Sequence, residues 1–140
     1  MTLAHSIRRP RYRLLVAEDD KALREMIVAL FRADGYDVVP VTNGVELLDV
    51  LQVSLDLESD VREFDFVISD VRMPGTSGPR ALARIGDRQR VPPVVFMTAF
   101  GDEEVHEEAM RVGAVAVLDK PVDLDELRAF VGTYLTQRSN

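Results

Sequence analysis

Four carboxylates in this chain stand at the ends of short apolar runs, where acidic side chains are energetically costly. Glu18, Asp19 and Asp20 follow the run RLLVA, and Asp70 follows the run FVIS. Two like charges about 4 Å apart repel by roughly 1 kcal/mol in water and by several times that amount near an apolar interior. A hard divalent cation would offset this repulsion, and these oxygen ligands suit Mg²⁺ above all, with Mn²⁺ as a second option.

A hydroxyl and an ammonium end two further apolar runs. Thr98 follows VVFM, and Lys120 ends AVAVLDK. A phosphoryl group held near a metal needs such donors, because the negative charge on its oxygens must be neutralised from several sides. A carboxylate can itself be the nucleophile that forms an acyl phosphate. Asp70 is the candidate nucleophile, since it is the isolated acid of the set.

These groups converge only if the apolar runs are neighbouring strands of one sheet. Five strands are predicted, over residues 13–18, 36–42, 64–70, 92–99 and 114–120. Because they are almost continuously apolar and alternate with helical patterns, they predict an α/β protein whose parallel sheet is covered on both faces. Right-handed crossovers make this a doubly wound five-stranded parallel sheet. Pro40 cannot donate to a sheet ladder, so the second strand is predicted at an edge, and the order 2-1-3-4-5 is favoured.

Five helices are predicted between and after these strands. The first follows Asp20, which we expect to cap it, and ends before Gly35. The others begin at residue 43, begin at Pro79, and span 102–113 and 123–135. In such sheets ligands bind at the carboxyl ends of the strands, so the acids, Thr98 and Lys120 are predicted to meet at one rim.

Length and composition limit the domain organisation and the class of protein. With 140 residues the chain fits one domain, which we place at 13–137 between tails at 1–12 and 138–140. The net charge of −7 argues against a general nucleic-acid binder. The absence of cysteine excludes disulfides, thiolate metal sites and thiol catalysis. No apolar run approaches the ~20 residues that span a bilayer, so we expect a cytoplasmic protein without membrane contact.

Four motifs in sequence order resemble the receiver domain of bacterial two-component response regulators. They are LLVAEDD, VISDVRMPGTSG, VVFMTA and LDKP, within about residues 12–136. The resemblance implies a flavodoxin-like fold and phosphorelay signal transduction, in which Asp70 accepts a phosphoryl group from a histidine kinase or histidine phosphotransfer protein. The Mg²⁺ ligands that it implies are Glu18, Asp19, Asp70 and the backbone carbonyl of Arg72. It also implies that Thr98 and Lys120 contact the phosphoryl oxygens and that the Lys120–Pro121 bond is cis.

Three departures from the family pattern affect the expected switch. Val117 stands three residues before Lys120, where the family often has an aromatic ring that turns inward when the threonine moves. Val122 replaces a frequent phenylalanine, and the segment 52–63 is longer and more acidic than usual. Phe100 is a candidate for the missing ring. The expected switch residues are therefore Thr98, Phe100 and Val117.

The expected role is a stand-alone switch rather than an enzyme, without a DNA-binding output domain, because the chain ends soon after the fifth helix. Phosphorylation would control affinity for a downstream protein, and the face of the fourth helix, fifth strand and fifth helix is a candidate homodimer interface. Two alternatives stay open: a degenerate receiver that serves as an unphosphorylated docking module, and a phosphohydrolase with an aspartyl nucleophile. His5 and His106 have no motif around them and are expected to be exposed residues without a role.

Overall fold

Five strands and five helices alternate along the part of the chain that the computed structural model describes, residues 11–56, 63–85, 91–99 and 103–139, with side chains to residue 137. The strands are β1 (Arg13–Ala17), β2 (Asp37–Val41), β3 (Phe66–Asp70), β4 (Val94–Ala99) and β5 (Ala116–Lys120). The helices are α1 (Lys21–Ala33), α2 (Gly44–Leu55), α3 (Gly78–Ala83), α4 (Glu103–Arg111) and α5 (Leu124–Ser139). Each predicted strand is present but shorter than predicted at one or both ends. None of these described helices combines the length and the apolar character needed to cross a membrane.

The strands form one parallel sheet in the order β2-β1-β3-β4-β5. The predicted doubly wound α/β fold and its strand order are therefore confirmed. Pro40 lies in the edge strand β2, opposite Val16 of β1. An edge strand has a neighbour on one side only, which is why a residue without an N–H is tolerated there.

Apolar side chains leave the sheet alternately toward two hydrophobic cores. Leu15 of β1 and Val67 of β3 pack into the core beneath α2, α3 and α4, whereas Leu14 and Ile68 pack into the core beneath α1 and α5. This alternation follows from the two-residue period of a strand. Burial of each such aliphatic side chain contributes about 1.5–3 kcal/mol. Helices therefore cover the sheet on both faces, as the apolar strands predicted.

Capping side chains fix where three of the helices begin. Asp20, Asn43 and Ser77 each accept a hydrogen bond from a backbone N–H in the first turn of α1, α2 and α3. The predicted cap at Asp20 is confirmed, with 3.0 Å between its Oδ1 and the Leu23 nitrogen. Each such cap contributes about 1 kcal/mol. Gly35 follows the end of α1 with a φ of +94°, a conformation that residues with a side chain rarely adopt.

Some predictions concern residues outside the described ranges. They are the predictions for most of the N-terminal tail with His5, for the acidic residues 57–62, and for Phe100. The described part of the second helical segment ends at Leu55, with Asp56 as its C-terminal cap. The implied cis bond between Lys120 and Pro121 lies within the described residues and is confirmed.

Candidate functional site

Glu18, Asp70 and Lys120 meet at the carboxyl end of the sheet. Glu18 follows β1, Asp70 ends β3 and Lys120 ends β5, so the parallel strands bring three distant residues to one rim. The Nζ of Lys120 donates to Glu18 Oε1 and to Asp70 Oδ2, each over 2.9 Å. Glu18 is 0% exposed and Asp70 is 5% exposed. One ammonium therefore serves two buried carboxylates, which leaves this group with an excess of negative charge.

Asp19 joins Glu18 and Asp70 in an acid cluster. One carboxylate oxygen from each of the three residues lies within 4.8 Å of the other two. Asp19 is exposed to solvent, whereas the other two side chains are buried. Mg²⁺ takes few protein carboxylates and keeps several of its waters, so two buried acids beside one open acid fit its coordination.

The surroundings of Asp70 favour its neutral form. Burial raises the pKa of the Asp70 carboxyl to about 7, with Glu18 acting in the same direction and Lys120 opposing both. Burial lowers the pKa of the Lys120 ammonium, but its hydrogen bonds to the two carboxylates hold that pKa above the ordinary value. The lysine thus stays charged, yet its single positive charge cannot neutralise all three acids of the cluster.

Thr98 supplies a buried hydroxyl on the strand next to Asp70. It follows Met97 in β4, and Met97 stands opposite Asp70 in the sheet register. Thr98 is 2% exposed, and its Oγ1 has no hydrogen-bond partner among the described residues. A buried hydroxyl without a partner costs about 1–3 kcal/mol. A ligand with acceptor oxygens, such as a phosphoryl group, would remove this cost.

A glycine holds the loop after β3 close to the end of that strand. Gly78, the first residue of α3, donates its backbone N–H to Val71 O over 2.9 Å. A Cβ at this position would lie 2.5 Å from Asp70 O and 2.7 Å from Ser69 Oγ, so a larger residue requires a shift of the backbone. Arg72 lies in this loop, two residues after Asp70, and lines a cleft of about 380 Å³ between the loop and α4.

The expected switch residues have different surroundings. Thr98 is buried at the rim, while Val117 of β5 is half-buried against the core beneath α2, α3 and α4. Phe100 lies outside the described residues. Val117 and Val122 also line a groove of about 330 Å³, with Asp119 among its acidic members. A rotation of Val117 would bury or expose little apolar surface, because the side chain is small.

His106 was expected to be an exposed residue without a role, and the structure gives it a partner that the sequence did not indicate. Its Nε2 lies 3.0 Å from Asp119 Oδ1. This contact joins α4 to β5, and Asp119 immediately precedes Lys120 in the sequence. No local pattern indicates the contact, because the two residues belong to different elements and meet only in the folded chain.

Arg24 is a second residue near the rim that no motif indicated. Its Nη1 donates to the backbone carbonyl oxygens of Glu18, over 2.8 Å, and of Asp19, over 3.4 Å. Arg24 lies in α1, one helical turn after the capping Asp20. The sequence does contain one signal that could have identified Arg24, since a basic residue stands one helical turn after an acid-rich strand end.

Comparisons with known proteins identify one family over most of the chain. The family profile of the response regulator receiver domain matches residues 14–132. FixJ, a transcriptional regulatory protein of Bradyrhizobium diazoefficiens, is 36% identical over 124 residues, which are 89% of this chain and 57% of FixJ. Sporulation initiation phosphotransferase F of Bacillus subtilis is 29% identical over 128 residues, which are 91% of this chain and 97% of that protein.

Solved structures agree with the sequence relatives. The receiver domain of response regulator 1452 from Francisella has a TM-score of 0.77 and 26% identity, over 93% of this chain and 100% of that one. The chain spans 57% of the length of FixJ and 26% of the length of the regulatory protein AtoC of Escherichia coli, which is 33% identical. Receivers of this family are phosphorylated on aspartate by histidine kinases or phosphotransfer proteins and bind Mg²⁺ in an acidic pocket. With the matching fold and the acid cluster at its rim, this chain belongs to the receiver domains of two-component response regulators.

Proposed function

We propose that this receiver domain accepts a phosphoryl group on Asp70 in a Mg²⁺-dependent reaction and that phosphorylation changes its affinity for a downstream protein. The observation that carries the proposal is the rim, where two buried carboxylates share one ammonium near a buried hydroxyl without a described partner. A phosphoryl group and a divalent cation together supply the acceptor oxygens and the positive charge that this set lacks. The proposed domain covers 13–137, with tails at 1–12 and 138–140, and α5 continues past this boundary to Ser139.

Asp70 is the proposed nucleophile. One of its carboxylate oxygens attacks the phosphorus of a phosphohistidine, and a P–O bond forms as the P–N bond breaks. The imidazole nitrogen keeps the electron pair of the broken bond and takes up a proton. The proposed donor is a histidine kinase or a histidine phosphotransfer protein, because receivers of this family take their phosphoryl groups from such proteins.

The residues proposed to hold Mg²⁺ are Glu18, Asp19, Asp70 and the backbone carbonyl of Arg72. When bound, the ion supplies positive charge to the phosphoryl oxygens. Glu18 is oriented without it, because its Oε1 accepts from Lys120 and its Oε2 accepts from the Asp20 N–H over 3.0 Å. Asp19 is exposed, so it offers a ligand on the solvent side. The site therefore combines a rigid buried carboxylate with an open one.

Lys120 and Thr98 are proposed to respond to the phosphoryl group. The ammonium that now contacts Glu18 and Asp70 would donate to one phosphoryl oxygen, and the Thr98 hydroxyl would donate to another. A modification shifts a two-state equilibrium only by its different interaction with the two states. These two donors supply that difference, because each would form a hydrogen bond to a phosphoryl oxygen only in the phosphorylated protein.

The readout is proposed to pass through β5 and α4 rather than through a ring at Val117. Lys120 ends β5, and the preceding Asp119 contacts His106 of α4, so a shift of this strand end reaches α4. We expect residues 99–104 and α4 to move as a backbone unit, with Phe100 as the proposed ring. The face of α4, β5 and α5 is the proposed surface for the downstream protein or for a second copy.

The test is mass spectrometry of the intact chain after incubation with Mg²⁺ and a small phosphodonor. Wild type should gain one phosphoryl group, whereas a chelator or the substitution Asp70→Asn should abolish the gain. Asp65→Asn is the matched control, because Asp65 precedes the same strand at its opposite end and accepts a hydrogen bond from the Arg13 N–H. An adduct at wild-type stoichiometry in Asp70→Asn would disprove the assignment, and no adduct in wild type would favour the docking module.

The readout has a separate test by amide hydrogen exchange with Mg²⁺ and the phosphoryl mimic beryllofluoride. Protection should change in residues 99–113 as well as near Asp70. Changes confined to the surroundings of Asp70 would reject the proposed movement of α4.

A further inference from the structure

Arg24 directs its positive charge at the backbone that carries two of the acids. Its guanidinium donates to the carbonyl oxygens of Glu18 and Asp19, the residues whose carboxylates belong to the acid cluster. None of the ion pairs found between described residues involves Arg24. The side chain therefore binds the peptide groups under the carboxylates rather than the carboxylates themselves.

The backbone at this point needs such support. Glu18 and Asp19 lie between the end of β1 and the capping residue Asp20, and their negative charges repel each other and Asp70. Glu18 is further held by a bond from its N–H to Val41 O, over 3.2 Å. For Asp19, the bond from Arg24 is the single hydrogen bond found among the described residues.

The charge of Arg24 also acts on the turn between β2 and α2. Hydrogen bonds from Thr42 lower the pKa of Glu46, and the nearby charge of Arg24 lowers it further. Glu46 in turn accepts the Thr42 N–H over 2.7 Å, so this turn is held by a hydrogen bond of its own. The guanidinium thus contacts the loop after β1, and its charge acts on the turn between β2 and α2.

We propose that Arg24 is a positioning residue for the Mg²⁺ site, which holds the backbone of Glu18 and Asp19 so that their carboxylates converge on Asp70. This inference rests on the proposed function, because it assigns Arg24 to the site that binds the cation. Both bonds come from Nη1, whose position the planar guanidinium fixes, whereas the ammonium of a lysine is a point charge on a flexible stem. Residues that orient metal ligands in this way typically change metal affinity about 10- to 100-fold when they are replaced.

The charge of Arg24 and its positioning role predict opposite changes in Mg²⁺ affinity when the side chain is replaced. A positive charge beside an acid cluster repels Mg²⁺, so its removal should tighten Mg²⁺ binding if charge alone mattered. If position matters more, removal should weaken binding, because the two carboxylates no longer start in the convergent arrangement. The sign of the change therefore separates the two effects.

The experiment is a Mg²⁺ titration of the metal-free chain without phosphodonor, followed by the amide chemical shifts of residues 18–20. Arg24→Gln should weaken Mg²⁺ binding about 10-fold or more, and Arg24→Lys should recover part of the loss. Arg32→Gln is the matched control, because Arg32 lies on the same helix and donates to a backbone carbonyl, Val38 O, over 2.9 Å. It should bind Mg²⁺ like wild type.

Unchanged or tighter Mg²⁺ binding in Arg24→Gln would overturn the inference, as would an equal loss in Arg32→Gln. If Arg24→Gln does not fold, Arg24→Lys is the deciding variant. Compared with wild type, it should show faster amide exchange at Asp19 and Asp20 without metal, and it should bind Mg²⁺ more weakly. Wild-type rates and affinity in Arg24→Lys would then overturn it. Failure of wild type to bind Mg²⁺ would instead reject the proposed function.

Discussion

Charged side chains are arranged differently at the two ends of the sheet. At the amino end, Arg13 lies with its Nε 3.5 Å from Asp37 Oδ2 and its guanidinium carbon 4.3 Å from the centre of the Phe64 ring. The Arg13 N–H donates to Asp65 Oδ2 over 2.7 Å. The guanidinium of Arg128 forms two hydrogen bonds with the carboxylate of Asp34, which follows the end of α1, over 2.6 and 2.5 Å. Positive charge at this end is therefore matched by acids and by a ring.

The carboxyl end is arranged differently, because carboxylate oxygens of its three clustered acids lie within 4.8 Å of one another and its Arg24 binds backbone carbonyl oxygens rather than carboxylates. The ammonium of Lys120 contacts two acids of the three-acid cluster, Glu18 and Asp70, and the Thr98 hydroxyl is buried without a described partner. Proteins depart from local stability rules mainly at functional sites. The contrast teaches that acids at the amino end lie beside basic partners, whereas the acids at the carboxyl end are crowded together, which costs stability unless a counter-charge is bound. Substitutions at the two ends should therefore differ in magnitude, in sign and in their response to Mg²⁺.

Removal of the shared ammonium should give the largest effect. In chelator, Lys120→Met should lower the free energy of unfolding by about 3–5 kcal/mol, because it leaves two buried carboxylates without a counter-charge. Millimolar Mg²⁺ should restore part of this loss, since a ligand that binds only the folded state stabilises it. Urea unfolding followed by circular dichroism, with and without Mg²⁺, measures both changes.

Arg128→Met is the control for the amino end. The bond between Arg128 and Asp34 is exposed, so its loss should leave the free energy of unfolding close to that of wild type. Mg²⁺ should not change the difference in the free energy of unfolding between Arg128→Met and wild type. Equal losses in the two variants would contradict the proposed contrast between the ends.

The same glycine substitution should have opposite signs at the two ends. Gly78→Ala should destabilise the protein by about 1–3 kcal/mol, because the new methyl group would press on the backbone of Asp70 and on the ring of Phe96. Gly132→Ala in α5 should stabilise it by about 0.5–1 kcal/mol, since alanine favours a helix and the nearest atom, Tyr36 Oη, is 3.8 Å away. Thermal unfolding of the two variants checks the signs. Destabilisation by Gly132→Ala would show that the amino end is packed as tightly as the rim.

The smallest expected effect concerns single exposed acids. Without metal, Asp19→Ala should raise the free energy of unfolding by a few tenths of a kcal/mol to about 1 kcal/mol, because it relieves repulsion in the acid cluster. Asp37→Ala should instead lower it slightly, since this acid pairs with Arg13. Melting temperatures in chelator and in millimolar Mg²⁺ measure the difference. A melting temperature of wild type that is indifferent to Mg²⁺ would contradict the metal site on which the comparison depends.

Much of the fold was predictable because its signals are local. Apolar runs identified the five strands, Pro40 placed β2 at the edge, and Asp20 was recognised as a cap. Strand ends were predicted one or two residues too long, because apolar residues such as Phe64 and Ala114 continue past the paired ladder into the loops. Hydrophobicity reports burial, whereas a strand ends where the inter-strand hydrogen bonds end.

The candidate site was only partly predictable. Acidic residues at strand ends predicted the cluster, because parallel strands of this fold end at one rim. Arg24 and His106 were missed, since each acts through a contact that no motif describes: a side chain on a backbone carbonyl, and a pair that joins α4 to β5. Interactions of this kind depend on how a helix is placed against a loop or strand.

The sequence by itself determined which residue types stand at the strand ends, because strand period, caps and turns depend on neighbours along the chain. Only the tertiary structure decided that Lys120 contacts two carboxylates at once, across 102 and 50 residues of sequence. It also decided that Glu18 is fully buried while the adjacent Asp19 is exposed. Distances and burial between such residues are set by strand order and by the helices that cover the sheet, and no local pattern contains that information.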